Sequence, residues 1–201
     1  MQIVKGRSFY PIKTFKNLRD MIQESGSLYG QLDAFRFRTD PAPEPQAKTY
    51  MEFIEDYQAL GSILLQLGLH GKRIAVIGEN SYNWCVTHTA VLNGVGISVP
   101  LDRLLPAGEI ISLLERGGVS AVFYQETFHE VMQAAVEKYP GQIELLCCMR
   151  PDKLKSPESV PFEAVVEATG PASADSVLPR YFRFADLLTA GRAIRARGDK
   201  T

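Results

Sequence analysis

No stretch of this sequence approaches the roughly 18 apolar residues that a membrane-spanning helix needs, so no transmembrane segment is expected. The first residues, MQIVKGRSFYPIK, contain no apolar core of the kind a secretory signal requires. A dominant sign of charge is missing too. The 22 basic and 23 acidic residues leave a net charge of −1, and without a global positive field nucleic acid is not an expected partner. Cysteine is scarce: Cys85, Cys147 and Cys148 are an odd number with one adjacent pair, which is not a disulfide framework. Reduced, buried thiols in a cytoplasmic protein are the expectation. His70, His88 and His129 lie far apart and match no metal-ligand spacing. No serine sits in G-x-S-x-G, and no G-x-G-x-x-G follows a strand. The run Gly68-Leu69-His70-Gly71-Lys72-Arg73 comes nearest to a phosphate loop, but its spacing is wrong, it lacks a hydroxyl residue, and it precedes a strand. The residues by themselves point to no catalytic group and no metal site.

What is present reads as an ordinary globular chain. Its 201 residues are 45% apolar and 22% charged, enough for one to two domains at roughly 150 residues each. A first helix is expected over residues 14–29, capped by Thr14, with Phe15, Leu18 and Ile22 on its apolar side. A short strand follows at 34–38, then a stiff connector with three prolines at 40–45. Thr49 and Glu52 form a capping box at the head of a helix that carries Phe53, Tyr57, Leu60 and Leu64 on one face and stops at Gly68. A regular alternation comes next. Strands are expected at 73–77, 97–99, 121–124 and 143–149. The helices between them are capped by Ser81, opened by Pro106, and headed by a second box, Thr127 with Glu130. Short strands that are apolar on both faces belong in a parallel sheet covered by helices, so the expected fold is a doubly wound α/β sheet with helices on both faces.

The organisation expected is an N-terminal helix, strand and connector over residues 1–48, an α/β core over 49–149, a proline-rich excursion over 150–180, and a final helix over 181–201. Six basic residues follow position 179 (Arg180, Arg183, Arg192, Arg195, Arg197 and Lys200) against Asp186 and Asp199. A solvated basic helix face is the main expectation, and a contact with an acidic surface the other. Cys147 and Cys148 should point to opposite faces of their strand.

Two segments carry a resemblance. Thr49-Tyr50-Met51-Glu52-Phe53 resembles the first core motif of the AMP-forming acyl- and aryl-CoA synthetases, and Leu92-Asn93-Gly94-Val95-Gly96-Ile97-Ser98-Val99-Pro100-Leu101-Asp102 resembles the second. Between them, Gly71-Lys72-Arg73-Ile74-Ala75-Val76 and Glu79-Asn80-Ser81-Tyr82-Asn83-Trp84 look like the same family's intervening text. The opening, with Leu18-Arg19-Asp20-Met21, Tyr29-Gly30 and Ala34-Phe35, and the later Leu105-Pro106 with Glu109-Ile110 are similar to the long-chain fatty-acid ligase type. The resemblance implies the N-terminal part of an ATP-dependent acyl-CoA ligase, with ATP, magnesium and coenzyme A as the full enzyme's cofactors and none in this portion. The family's phosphate loop would fall just after Thr201, so this chain alone is expected to be inactive. Its expected partners are the remainder of the enzyme and a second copy. The location implied is cytoplasmic, with peripheral membrane attachment open to the full-length protein. A non-catalytic α/β binding or dimerisation module is the alternative.

Within those motifs, Thr49, Tyr50, Glu52, Gly94, Gly96, Pro100 and Asp102 are expected to be structural. Gly94 and Gly96 should permit a tight helix-to-strand turn, Pro100 should end the strand, and Asp102 should brace the loop after it. Asn80, Ser81 and Trp84 fall after a strand, at a helix start, where doubly wound sheets bind ligands. They are candidate substrate-binding residues, Trp84 as the wall of an acyl or pantetheine channel. The alternative is that Ser81 is only a cap and Trp84 only core.

Overall fold

The structure, a computed structural model, describes residues 13–38, 44–165 and 178–198. Helix α1, Leu18–Tyr29, is capped by Asn17, whose side chain accepts from the Asp20 amide at 2.9 Å. Thr14 is not the cap. Asparagine caps at least as well as threonine, and Asn17 sits three residues before the amide it binds. After α1 come β1, Asp33–Phe37, and β2, Gln46–Thr49, which pair antiparallel. The second of these strands was hidden by the proline-rich connector, of which residues 39–43 lie outside the described residues.

Helix α2, Tyr50–Gln66, starts at the expected box. The Glu52 amide donates to Thr49 Oγ1 at 3.2 Å, and the Thr49 amide donates to the Glu52 carboxylate at 2.8 Å. The main sheet then forms from β3, Arg73–Ile77; β4, Ile97–Leu101; β5, Ala121–Tyr124; β6, Leu145–Cys148; and β7, Arg180–Arg183. All neighbours run parallel, in the order β4-β3-β5-β6-β7. The helices between them are α3, Tyr82–Ala90, which runs on into a wide π turn at Val91–Val95; α4, Ala107–Arg116; and α5, His129–Lys138. Helix α6, Phe184–Ala196, closes the chain and packs along α2.

Alternation along the central strands builds two cores. Ile74, Val76, Ala121, Phe123, Leu145 and Cys147 face the layer of α2, α3 and α6. Ala75, Ile77, Val122, Tyr124, Leu146 and Cys148 face α4 and α5. Helices therefore cover both faces of a parallel sheet, and the two adjacent cysteines do point opposite ways.

Three further expectations are corrected. Thr127 and Glu130 form no capping box: Glu126–Phe128 is a tighter 3-10 turn, and α5 begins at His129 with no side-chain cap. Phe128 at that junction packs into the second core instead. Pro100 does not end its strand but lies inside β4, which tolerates it because β4 is an edge strand. The basic C-terminal helix is not simply a solvated face. Arg192 ion-pairs with the buried Asp56 and Arg195 donates to Gln58 Oε1 at 2.6 Å, while Arg180 is not in the helix but lies buried in β7. The expected excursion begins with 3-10 turns at Pro151–Lys153 and Pro157–Ser159, and Phe162 bridges to Tyr181 of the unanticipated strand β7.

Candidate functional site

Taken in chain order, the five parallel strands stack as second, first, third, fourth, fifth. Connections leaving β3 and β5 therefore diverge, and a crevice opens between their carboxyl ends, the usual ligand position in a doubly wound sheet. A cavity of about 500 Å³ lies there. Its lining comes from the loop after β3 (Glu79, Asn80, Ser81), the residue after β5 (Gln125), the segment after β6 (Met149, Arg150, Asp152, Lys153), and the end of the β1–β2 hairpin (Phe37, Arg38).

The strand-end loops are tied to one another. The Glu79 amide donates to Gln125 Oε1 at 2.7 Å, and Asn83 Nδ2 donates to the Met149 carbonyl at 3.0 Å. Gly78 has φ 153°, and a Cβ there would lie 2.9 Å from Gln125 Cβ, so glycine lets the first loop close onto Gln125. On the hairpin side, Phe37 stacks on Tyr82 with ring centroids 5.6 Å apart, and Phe35 meets the same ring edge-on. Tyr82 is buried and donates to Asp56 at 2.8 Å; burial raises its pKa, and the neighbouring carboxylate raises it further.

Asn80 is exposed at the rim of the crevice. Ser81 lines it and also caps α3, its Oγ accepting from the Trp84 amide at 3.2 Å. Trp84 is not brought to the crevice lining. Its ring lies half-buried on His88, centroids 4.9 Å apart, and His88 Nδ1 lies 2.7 Å from Ser98 Oγ. Thr49 and Glu52 cap α2, and Tyr50 contacts the ring of Tyr29. Gly94 and Gly96 lie at the opposite end of the sheet. Gly94 has φ 128° with Arg19 against it, and a Cβ on Gly96 would collide with the Lys72 carbonyl oxygen. Asp102 Oδ1 accepts from the Leu104 amide at 2.9 Å, bracing the loop after β4.

Charge in the crevice is uneven. Glu79 faces Arg103 at 3.8 Å, and Arg150 faces Glu126 at 3.8 Å. Arg38 and Lys153 have no ion-pair partner among the described residues. Beside the crevice, Cys148 is buried and its thiol is pushed up to about 11, chiefly by burial. No cluster of three or more His, Cys, Asp or Glu side chains able to hold a metal occurs among the described residues. Sequence reasoning missed Phe37, Arg38, Gln125, Arg150 and Lys153. Gln125 could have been found from its place after a strand, but the others enter through the hairpin and the turns after β6.

Fold and crevice together define a doubly wound α/β module with a cleft at its switch point. The chain belongs to the AMP-binding enzyme family, whose model matches residues 23–180. It is 32% identical over 81 residues to long chain acyl-CoA synthetase 1 of Arabidopsis thaliana, a match covering 40% of this chain and 12% of that protein. Among solved structures it resembles the A-PCP didomain of carboxylic acid reductase from Segniliparus rugosus, in complex with AMP. The TM-score is 0.68 at 21% identity, covering 87% of this chain and 26% of that one. It also resembles a long-chain-fatty-acid CoA ligase described from Rhodopseudomonas palustris, with TM-score 0.61, 20% identity, and coverage of 85% and 35%. The chain thus spans about a third or less of each of these relatives. No helix among the described residues is long and apolar enough to cross a membrane.

Proposed function

We propose that the chain supplies the N-terminal α/β portion of an ATP-dependent, AMP-forming acyl-CoA ligase that acts on a fatty acid. The observation that carries this reading is the family match over residues 23–180, together with the likeness to a plant long-chain acyl-CoA synthetase. In such a reaction the carboxylate attacks the α-phosphorus of ATP, pyrophosphate leaves, and the acyl group then passes to the thiol of coenzyme A with release of AMP. The residues of this chain take a binding part in that scheme. Asn80 and Ser81 border the cleft, and Gln125 and Gly78 hold its loop in place.

The test is carboxylate-dependent ATP–pyrophosphate exchange by the natural polypeptide, with palmitate and benzoate offered in parallel. Exchange with palmitate and little with benzoate supports a fatty-acid ligase; the reverse preference, or no exchange, removes it. The 201-residue chain alone is expected to form no AMP from ATP and palmitate. A second reading, a non-catalytic binding or dimerisation module, is favoured by one observation: Leu18, Met21 and Leu28 of α1 are exposed on its outer side. Light scattering of the chain at increasing concentration tests the dimerisation part of this second reading, which predicts a mass of twice 22.3 kDa.

A further inference from the structure

We infer that a groove over the second half of α2, away from the crevice, binds a small aliphatic dicarboxylate, with one carboxylate on Arg19 of α1 and the other on Arg195 of α6. Nothing in this depends on the ligase reading. The groove has a volume of about 360 Å³. Helices α1 and α6 both pack on α2, and the groove lies between them, with Gly94 and Val95 of the π turn also on its lining. Its two arginines thus stand on different walls. Both are exposed, so a ligand from solvent can reach them. No carboxylate lies among the described residues that line the groove. Neither arginine has an ion-pair partner among the described residues. Each ends on a neutral oxygen instead: Arg19 donates to the Asn93 carbonyl, and Arg195 to Gln58 Oε1 at 2.6 Å. A guanidinium carries five N–H donors, so one such bond leaves each able to grip a carboxylate with two more.

The floor supplies a second observation. Gly61 lies well inside the 17-residue α2, where glycine weakens a helix relative to alanine. Close packing explains the glycines inside the neighbouring helices. A Cβ on Gly26 of α1 would strike the Ile54 side chain, and one on Gly191 of α6 the Ala59 carbonyl oxygen. At Gly61 packing makes no such demand, since a Cβ there would meet only Val95 Cγ2, at an ordinary 3.7 Å. What the missing side chain does is keep the floor of the groove open. Around it Leu65, Ala90 and Val95 make that floor apolar. The volume stands at the lower end for small-molecule sites. Two cationic walls over a short apolar floor match a ligand with a carboxylate at each end and a few methylenes between. Acetate offers only one charge, and sulfate and pyrophosphate have no apolar body to cover the floor.

Isothermal calorimetry on the 201-residue chain, at constant ionic strength, would compare succinate, glutarate and adipate with acetate, pyrophosphate and sulfate. The expected result is saturable binding of at least one dicarboxylate, tighter than that of acetate, pyrophosphate or sulfate. The best of the three dicarboxylates reports the span between the arginines. Arg19→Ala and Arg195→Ala should each weaken binding about tenfold, the usual consequence of losing one charge-assisted contact. Arg36→Ala, outside the groove, should leave it unchanged. Gly61→Leu, which fills the floor, should abolish binding in a chain that still folds by circular dichroism. Gly61→Ala should melt at a higher temperature than the wild type, because no packing requires the glycine. No saturable binding, equal affinity for sulfate or pyrophosphate, or binding that survives Gly61→Leu or the double variant Arg19→Ala with Arg195→Ala would each overturn the proposal. So would a lower melting temperature for Gly61→Ala, which would give the glycine a packing role. A peptide with two glutamates that binds more tightly than every dicarboxylate would overturn it in favour of an acidic protein segment as the occupant.

Discussion

At the scale of single residues, two glycines separate close approach from mere flexibility. Gly96 has an extended φ of −174° that any residue could adopt. What excludes a side chain there is the Lys72 carbonyl oxygen, which a Cβ would strike. Gly96→Ala must push β4 away from the start of β3, and a loss of about 1–3 kcal/mol is expected in urea unfolding. Gly108 has open space around it in the first turn of α4, so Gly108→Ala should be neutral or stabilise by up to about 1 kcal/mol. The histidines give a pH signature. Burial holds both His88 and His129 below the ordinary imidazole value of 6.5, with the charge of Glu130 opposing this in part at His129. Their folded forms resist protonation, while the unfolded chain takes up protons first. Stability should therefore be full above about pH 7 and fall as the pH drops through about 6.5 toward the lowered folded values, levelling below them. Melting temperatures across that range should show the slope, and His88→Gln with His129→Gln should flatten it. A slope unchanged in the double variant would assign the effect to other groups.

At the scale of elements, one buried carboxylate joins three helices. Asp56 of α2 is 3% exposed, accepts from Tyr82 of α3 at 2.8 Å, and pairs with Arg192 of α6. The two partners should not count equally. The Arg192 side chain is 55% exposed, so water can replace it, and Arg192→Ala should cost no more than about 1 kcal/mol. Tyr82 is buried, and Tyr82→Phe leaves a desolvated carboxylate short of a donor, at about 1–3 kcal/mol. Thermal denaturation of both variants decides, and a larger loss for Arg192→Ala would show that the ion pair dominates. The same junction shows what could be read in advance. The cap at Thr49 with Glu52, the strand at 73–77 and the strand at 121–124 were legible because local spacing determines them. Strand β7 was not, since its four residues gain strand character only by lying beside β6. The crevice cations were hidden for the same reason: Arg38, Arg150 and Lys153 have no shared spacing and meet only through the hairpin and the turns after β6. Asn80 and Ser81 could be placed because the end of a parallel strand is a position that chain order alone defines. Trp84 followed the apolar side of α3 away from the cleft.

At the scale of the whole molecule, the sheet divides the interior into two unequal cores, and the adjacent cysteines give each core its own reporter. Cys147 lies in the larger core under α2, α3 and α6, and Cys148 in the smaller one under α4 and α5. Both are fully buried, and burial raises both thiol pKa values, so neither can be alkylated until its layer opens. The layers should not open at equal cost. Helices α4 and α5 are ten residues each and bury few apolar side chains, whereas the other layer is anchored by the 17-residue α2 and closed by α6, whose Gly191 packs directly on the Ala59 backbone. Local opening draws on the region with the least buried apolar contact. On a Cys85→Ala background, the chain that keeps only Cys148 should therefore be alkylated faster in native buffer, with little dependence on urea. The chain that keeps only Cys147 should be alkylated at a rate that rises steeply with urea, because it reacts only after global unfolding. Equal rates with the same urea dependence would instead mean that both layers and the sheet unfold as one cooperative unit.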